Sequence, residues 1–106
     1  MTEKPDDPLY DELEPLAEQD IKRLFEKYHS YRNSWKKRSG PGAAFMLLRK
    51  VDRLENVIEG YRYDIFKAIE EDSREEGIMD DLNDLIGYAM LIRAEMTVRN
   101  KEENNE

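Results

Sequence analysis

Two segments with apolar residues at helical spacing constrain the fold of this chain more than any other feature. In the first, Leu47, Val51, Leu54 and Ile58 recur every three or four residues. The second carries the stripe Ile78, Leu82, Leu85, Ala89, Ile92 and Met96. Residues at this spacing share one face of an α-helix, so both segments predict amphipathic helices that pack side by side. No segment shows sustained strand alternation, and the predicted fold is an all-α bundle of three or four helices.

Chain length and punctuation predict one helical domain over residues 15–99. Residues 1–14 are acidic and contain two prolines, so we expect a disordered arm there, and residues 100–106 should form a disordered tail. Predicted helices cover residues 15–31, 43–59, 61–71 and 78–99. Gly40, Pro41 and Gly42 are expected to interrupt helical structure before the second helix, and Gly60 is expected to end that helix. In the short third helix, Ile65, Phe66 and Ile69 should face inward.

Composition excludes several classes of protein. The 106 residues contain no cysteine, which rules out disulfides and thiolate metal sites and fits an intracellular, cytoplasmic location. No run of 18 apolar residues is present, and the acidic N-terminus has no apolar core, so neither a membrane span nor a signal peptide is expected. A formal net charge of −8 argues against attraction of the whole surface to nucleic acid or anionic membrane.

Four acidic residues border the two apolar stripes and form a candidate metal site: Asp52, Glu55, Asp81 and Asp84. Packing of the two helices could bring these carboxylates into one seam, where they would repel one another unless a cation joined them. Mg²⁺ or Mn²⁺ is the natural candidate, because hard divalent ions prefer oxygen ligands and often bind substrate phosphates as well. The alternative is that these acids are simply solvated.

A basic block lies just before the acidic seam. From residue 27 to residue 50 there is no acidic side chain, and the cations are Lys27, Arg32, Lys36, Lys37, Arg38, Arg49 and Lys50. Such a block could receive a polyphosphate whose other side is held by metal. It could also be a solubilising loop or a nucleic-acid contact. Trp35, the single tryptophan, could stack on a base or pack onto the core.

The acidic motifs resemble those of the MazG-like all-α nucleoside triphosphate pyrophosphatase superfamily. That superfamily carries ExxE on one helix and ExxD on a later one, matched here by Asp52-x-x-Glu55 and by Asp81-x-x-Asp84 within DDLNDLIGYAMLI. Aspartate stands for glutamate at 52 and 81. The segment YHSYRNSWKKRSGPGAAFMLLRKVDRLEN is similar to small phage proteins of a nucleotide-modification-associated type. This second resemblance extends over about residues 25–96.

The resemblance implies a dimeric or tetrameric helical bundle that hydrolyses (d)NTPs, with a purine dNTP as one candidate, to the monophosphate and pyrophosphate. The implied metal ligands are Asp52, Glu55, Asp81 and Asp84. Glu55 is also the candidate for orienting the attacking water. The implied phosphate and base contacts are Trp35, Lys36, Arg38, Lys50, Arg53 and Tyr88. A phage origin would place the protein in the host cytoplasm.

Two other functional classes stay open, and both predict different behaviour. A non-enzymatic helical adaptor would tolerate replacement of the four carboxylates. A nucleic-acid binder would show strongly salt-dependent affinity, which the overall acidity makes the weakest alternative. We expect the chain to form oligomers, because apolar residues such as Met46 and Val57 lie off the main stripe and a monomer of this size could not bury them all.

Overall fold

All regular secondary structure in residues 2–105, which the computed structural model describes, is helical. The elements in chain order are α1 (Pro8–Asp11), α2 (Leu13–Tyr31), a 3₁₀ turn (Ser34–Lys36), α3 (Ser39–Glu59), α4 (Ile65–Glu71) and α5 (Ile78–Asn104). The predicted all-α class is confirmed. The chain divides into two compact units, the first ending at Arg32 and the second beginning at Asn33, where the sequence predicts a single domain.

The first unit is helical earlier than predicted. The side chain of Asp7 accepts a hydrogen bond of 3.0 Å from the backbone N–H of Leu9, and Pro8 occupies the first position of α1. An aspartate cap followed by proline is a favourable helix start, which explains the turn inside the predicted arm. The next helix, α2, begins at Leu13 and places Pro15 in its first turn. None of the described side chains of this unit is buried.

Gly40, Pro41 and Gly42 lie inside α3, in contrast to the predicted break. They fall in its first turn, where Pro41 removes no hydrogen bond because an N–H at its position would have no partner within the helix. The N–H of Gly42 donates to the carbonyl oxygen of Arg38 over 3.3 Å. Irregularity appears one residue earlier, since Ser39 has a φ of 59°. At the other end, Gly60 has a φ of −63°, and the left-handed residues that reverse the chain are Arg62 and Tyr63.

The core of the second unit lies where α3, α4 and α5 meet. Leu54, Ala68 and Ile78 are buried there. Partly buried neighbours complete the cluster, namely Val57, Ile58, Tyr61, Ile65, Ile69, Leu82 and Leu85. The predicted pairing of the two main helices is thus confirmed, with α3 packed against α5. Phe66, predicted to face inward, is 76% exposed, because the short α4 buries Ala68 instead.

The buried face of α3 is turned relative to the predicted stripe. Val51, a member of that stripe, is 40% exposed, whereas Lys50 is largely covered. At 100° per residue, the side of α3 that faces the core is rotated by about 60° toward Lys50 and Arg53. An apolar stripe alone does not fix this rotation, since the polar pairs described below also select which residues face α5.

Asp72 organises the connection between α4 and α5. Its carboxylate accepts a hydrogen bond of 2.7 Å from the backbone N–H of Ile78, the first residue of α5, and further bonds from the backbone and side chain of Arg74. Gly77 allows this approach, because a Cβ there would lie 2.5 Å from Oδ2 of Asp72. Helix α5 then continues to Asn104, beyond the predicted end at residue 99. Within residues 2–105 no helix combines the length and apolar composition needed to cross a membrane.

Candidate functional site

Asp81 is a buried acid in the first turn of α5. Its side chain is 1% exposed, and its backbone N–H donates to the carbonyl oxygen of Gly77 over 3.1 Å. Oδ1 lies 3.4 Å from Nε of Arg53 and 4.0 Å from Nζ of Lys50. Oδ2 is buried and has no hydrogen-bond partner. A buried carboxylate normally pairs all its polar atoms, so this oxygen is an unusual feature of the chain.

Lys50 connects Asp81 to the second acid of the motif. Its Nζ lies 2.9 Å from Oδ2 of Asp84, and its side chain is 13% exposed. Asp84 lies one helical turn after Asp81 on the same side of α5, so one ammonium group can serve both carboxylates. The aliphatic stem of Lys50 covers the helix interface while its head meets the acids.

Arg53 joins the same cluster from one turn further along α3. Besides the contact with Asp81, its Nη2 donates a hydrogen bond of 3.3 Å to the backbone carbonyl of Glu76. The guanidinium group therefore ties the loop before α5 to α3. We call Lys50, Arg53, Asp81 and Asp84 the α3–α5 charge cluster. Its two cations balance its two carboxylates, which is the condition under which buried charge is tolerated.

Asp52 and Glu55 lie outside this cluster. Both side chains are exposed, and with the observed rotation of α3 they project more than about 100° away from the face that meets α5. Among residues 2–105 there is no group of three or more histidine or acidic side chains placed to hold a metal ion. The predicted seam of four carboxylates is therefore not formed within one chain. The positions opposite Asp81 and Asp84 are filled by two cations instead.

Two of the four predicted metal ligands fit the chemistry of a divalent cation. Asp81 and Asp84 supply hard oxygen donors one turn apart, and Oδ2 of Asp81 has no competing hydrogen bond. Mg²⁺ commonly takes one or two carboxylates and completes its shell with water and substrate phosphates. Asp52 and Glu55 could add to this set only from another copy of the chain.

The predicted base contacts have different environments. Trp35 is buried at 9% exposure in the 3₁₀ turn, which packs against α3, so its ring belongs to the interior and offers no stacking surface. Its Nε1 is buried without a hydrogen-bond partner. Tyr88, two turns after Asp81 on α5, is half-buried. Of the two candidate base contacts, Tyr88 is the one that retains exposed surface.

The two predicted loop cations, Lys36 and Arg38, also have different environments. Nζ of Lys36 donates a hydrogen bond of 2.6 Å to Oε1 of Glu95 on α5, and Arg99 donates to the other oxygen over 2.8 Å. The Lys36 bond, followed by the Arg99 bond, holds the pKa of Glu95 below its usual range. Lys36 is therefore anchored rather than free to fold over a pocket. Arg38 is exposed at the start of α3.

A separate depression of about 300 Å³ lies at the end of α3. It is lined by Gly60, Tyr61, Arg62, Lys67 and Glu71, none of which belongs to the predicted site. The depression borders α4 and shares no lining residue with the α3–α5 charge cluster.

No family model, curated protein or solved structure matches this chain. The MazG-like resemblance therefore stays a prediction from the short acidic motifs and the tryptophan-containing basic segment. Any functional assignment has to come from the geometry of the charge cluster and from experiment.

Sequence reasoning missed two acceptors that hold the candidate cations in place. Glu95 pairs with Lys36, and the carbonyl of Glu76 receives Arg53. One signal was available, because Lys50 and Arg53 have the same spacing of three as Asp81 and Asp84. Two facing helices with matched i, i+3 charges can pair in register.

Proposed function

We propose that this protein is a Mg²⁺- or Mn²⁺-dependent nucleoside triphosphate pyrophosphohydrolase whose site is the α3–α5 charge cluster. The observation that carries the proposal is the buried carboxylate of Asp81, whose Oδ2 accepts no hydrogen bond although it is shielded from water. A divalent cation would satisfy that oxygen. The short acidic motifs, which resemble those of MazG-like enzymes, support the same chemistry.

In this proposal, Asp81 and Asp84 hold the metal, and Lys50 and Arg53 bind phosphate oxygens. When bound, the metal supplies charge neutralisation of the polyphosphate and lowers the pKa of a coordinated water. The two cations meet the carboxylates now, at 2.9 Å for Lys50–Asp84 and 3.4 Å for Arg53–Asp81. Replacement of these ion pairs by metal would release both donors toward the negative charge of a triphosphate.

The substrate class is a (d)NTP, cleaved between the α- and β-phosphates to give the monophosphate and pyrophosphate. Tyr88 is the side chain on α5 that we assign to the base, in place of the buried Trp35. Glu55 is exposed on the opposite side of α3, so a water-orienting role for it would require a shared site with a second copy. Assembly as a dimer or tetramer and a cytoplasmic location in a phage-infected cell belong to the same proposal.

A (d)NTP screen with Mg²⁺ or Mn²⁺, in which pyrophosphate and phosphate are resolved as products, tests this function. Asp81→Asn and Asp84→Asn should lower kcat by at least about 100-fold, because each removes a metal ligand. Lys50→Met should chiefly weaken substrate binding. Asp52→Asn is the matched control, because Asp52 is an exposed acid of α3 outside the charge cluster. If the site lies within one chain, this variant should keep wild-type activity.

The same variants distinguish a site at the α3–α5 charge cluster from the four-carboxylate site that the sequence predicts. Loss of activity in Asp52→Asn and Glu55→Gln, with circular dichroism unchanged, would favour the four-carboxylate set built between copies. Hydrolysis that persists undiminished in an Asp81→Asn/Asp84→Asn double variant would overturn the proposal. Absence of hydrolysis for every canonical and modified (d)NTP would do the same.

A non-enzymatic interaction protein is the second candidate, and one observation favours it. Helix α2 is 19 residues long, and none of its side chains is buried. Its large aromatic residues Phe25 and Tyr31 are 65% and 67% exposed. Exposed aromatic surface of this extent is typical of protein contacts. The nucleic-acid alternative is weakened, because Lys36 and Lys50 of the basic block are paired with acids of α5.

A further inference from the structure

Lys50 is paired only with the two acids that the proposed function assigns to the metal. Its Nζ lies 2.9 Å from Oδ2 of Asp84 and 4.0 Å from Oδ1 of Asp81. Within residues 2–105 the ammonium group makes no ion pair with any other acid. A divalent cation needs the same carboxylate oxygens, so Lys50 and metal compete for them.

Arg53 has a different set of contacts. Its Nε lies 3.4 Å from Oδ1 of Asp81, but its Nη2 donates a hydrogen bond of 3.3 Å to the carbonyl oxygen of Glu76. Nη1 lies 4.0 Å from the carboxylate of the same residue. Arg53 therefore keeps a partner when its contact with Asp81 is lost, whereas Lys50 keeps none when it leaves the two aspartates.

The charges of the α3–α5 charge cluster sum to zero without a ligand, because two cations face two carboxylates. A divalent cation alone would leave about two uncompensated positive charges beside a buried carboxylate. A triphosphate alone would add roughly three to four negative charges to those of the two acids. Both ligands together leave only about one or two negative charges, which the outer phosphate oxygens can keep in water. The charge balance thus favours joint binding over either ligand alone.

We propose that Lys50 couples metal binding to polyphosphate binding at this site, as an internal counter-ion that gives way only when phosphate replaces its acceptors. The proposal rests on the proposed function for the assignment of Asp81 and Asp84 as metal ligands. Without phosphate, the ammonium group holds both carboxylates, and free metal binds weakly. A polyphosphate offers that group new acceptors, which leaves the carboxylates open to metal. By linkage, metal raises the affinity for polyphosphate by the same factor.

Titration calorimetry of the full chain with Mn²⁺ alone gives the first test. Lys50→Met should bind Mn²⁺ at least about tenfold more tightly than the wild type, because no ammonium group competes for the two aspartates. Arg49→Met is the control for the loss of one positive charge, since Arg49 is exposed, and should change the affinity by less than about threefold. A lysine that only binds phosphate would give the same Mn²⁺ affinity in both variants, and that outcome overturns the proposal.

A second test uses the wild type alone, so it does not depend on the folding of Lys50→Met. The probe is a deoxynucleoside triphosphate with a methylene group between its α- and β-phosphorus atoms, which cannot be cleaved at that bond. Its affinity should be at least about tenfold higher with Mn²⁺ than with EDTA. Equal affinities in the two conditions overturn the proposal.

Binding and hydrolysis together separate the role of Lys50 from the proposed function. Hydrolysis of a (d)NTP, combined with equal Mn²⁺ affinities of Lys50→Met and Arg49→Met, would overturn the coupling and leave the proposed function standing. Tighter Mn²⁺ binding by Lys50→Met without hydrolysis of any (d)NTP would support the coupling and overturn the proposed function. Absence of Mn²⁺ binding by the wild type and both variants would overturn both.

Discussion

Nζ of Lys50 on α3 lies 2.9 Å from Oδ2 of Asp84 on α5, so the side of α3 that carries Lys50 faces α5. The ammonium group is also 4.0 Å from the buried Asp81. A cation between two carboxylates in a partly desolvated interface cannot be removed without leaving negative charge uncompensated. The rotational setting of α3 and the neutrality of the cluster thus have the same origin.

The first prediction concerns the stability contributed by Lys50. Lys50→Met should lower the free energy of unfolding by about 2–3 kcal/mol, because it leaves Asp81 and Asp84 with Arg53 alone. In a double-mutant cycle with Asp84→Leu, the coupling between the two positions should be about 1–3 kcal/mol. Urea denaturation followed by circular dichroism measures both quantities. The neighbouring Arg49→Met, at an exposed position, should change stability by no more than about 0.5 kcal/mol.

The second prediction concerns divalent metal and follows from the proposed function. Millimolar Mg²⁺ or Mn²⁺ should raise the melting temperature of the wild type, since metal would bind only the folded state. The rise should be larger in Lys50→Met, where no ammonium group competes for the carboxylates, and should vanish in Asp81→Asn. Thermal denaturation with and without Mg²⁺ or Mn²⁺ provides the measurement. An equal rise in Asp81→Asn would place any metal elsewhere.

The third prediction tests the close approach of Asp72 to Gly77. Gly77→Ala should destabilise the protein, because the added Cβ would lie 2.5 Å from Oδ2 of Asp72 and displace the carboxylate that caps α5. Gly40→Ala is the matched control, since no atom lies within 4 Å of the position of its added Cβ. Melting temperatures of the two variants should therefore separate clearly. If both fell by the same amount, the contact with Asp72 would not be the cause.

The fourth prediction is a dependence of stability on acid. Hydrogen bonds from the side chain of Arg74, and then from the backbone N–H of Ile78, hold the pKa of Asp72 well below its usual range. Asp72 therefore binds a proton more readily unfolded than folded. Its contribution to stability is complete above the unfolded pKa of about 3.9 and is lost as the pH falls below that value.

Asp72→Asn provides the comparison for this acid dependence. The variant should be less stable than the wild type near pH 7, and the difference should shrink as the pH falls from about 4 toward 2. Melting curves at a series of pH values measure it. A difference between the two proteins that stays constant over this range would show that Asp72 does not contribute through its charge.

The apolar pattern was sufficient to predict the helical class and the pairing of α3 with α5. Leu54, Ile58, Ile78, Leu82 and Leu85, all named from spacing, lie in or against the core. Helix ends were predicted less well, because local caps such as Asp7 before Pro8 decide where a helix starts. Gly40-Pro41-Gly42 was misassigned for the same reason, since a first turn tolerates residues that a helix interior does not.

The positions of the candidate residues in the fold followed from the sequence only in part. Spacing placed Asp81 and Asp84 at the border of the apolar stripe, and at 100° per residue Lys50 and Arg53 lie more than about 100° from Glu55 around α3. It could not decide which of the two sides of α3 faces the acids, since an apolar stripe allows rotations of several tens of degrees. Only tertiary packing settles this, because the buried charge of Asp81 requires a cation and the choice of Lys50 and Arg53 moves Asp52 and Glu55 into solvent.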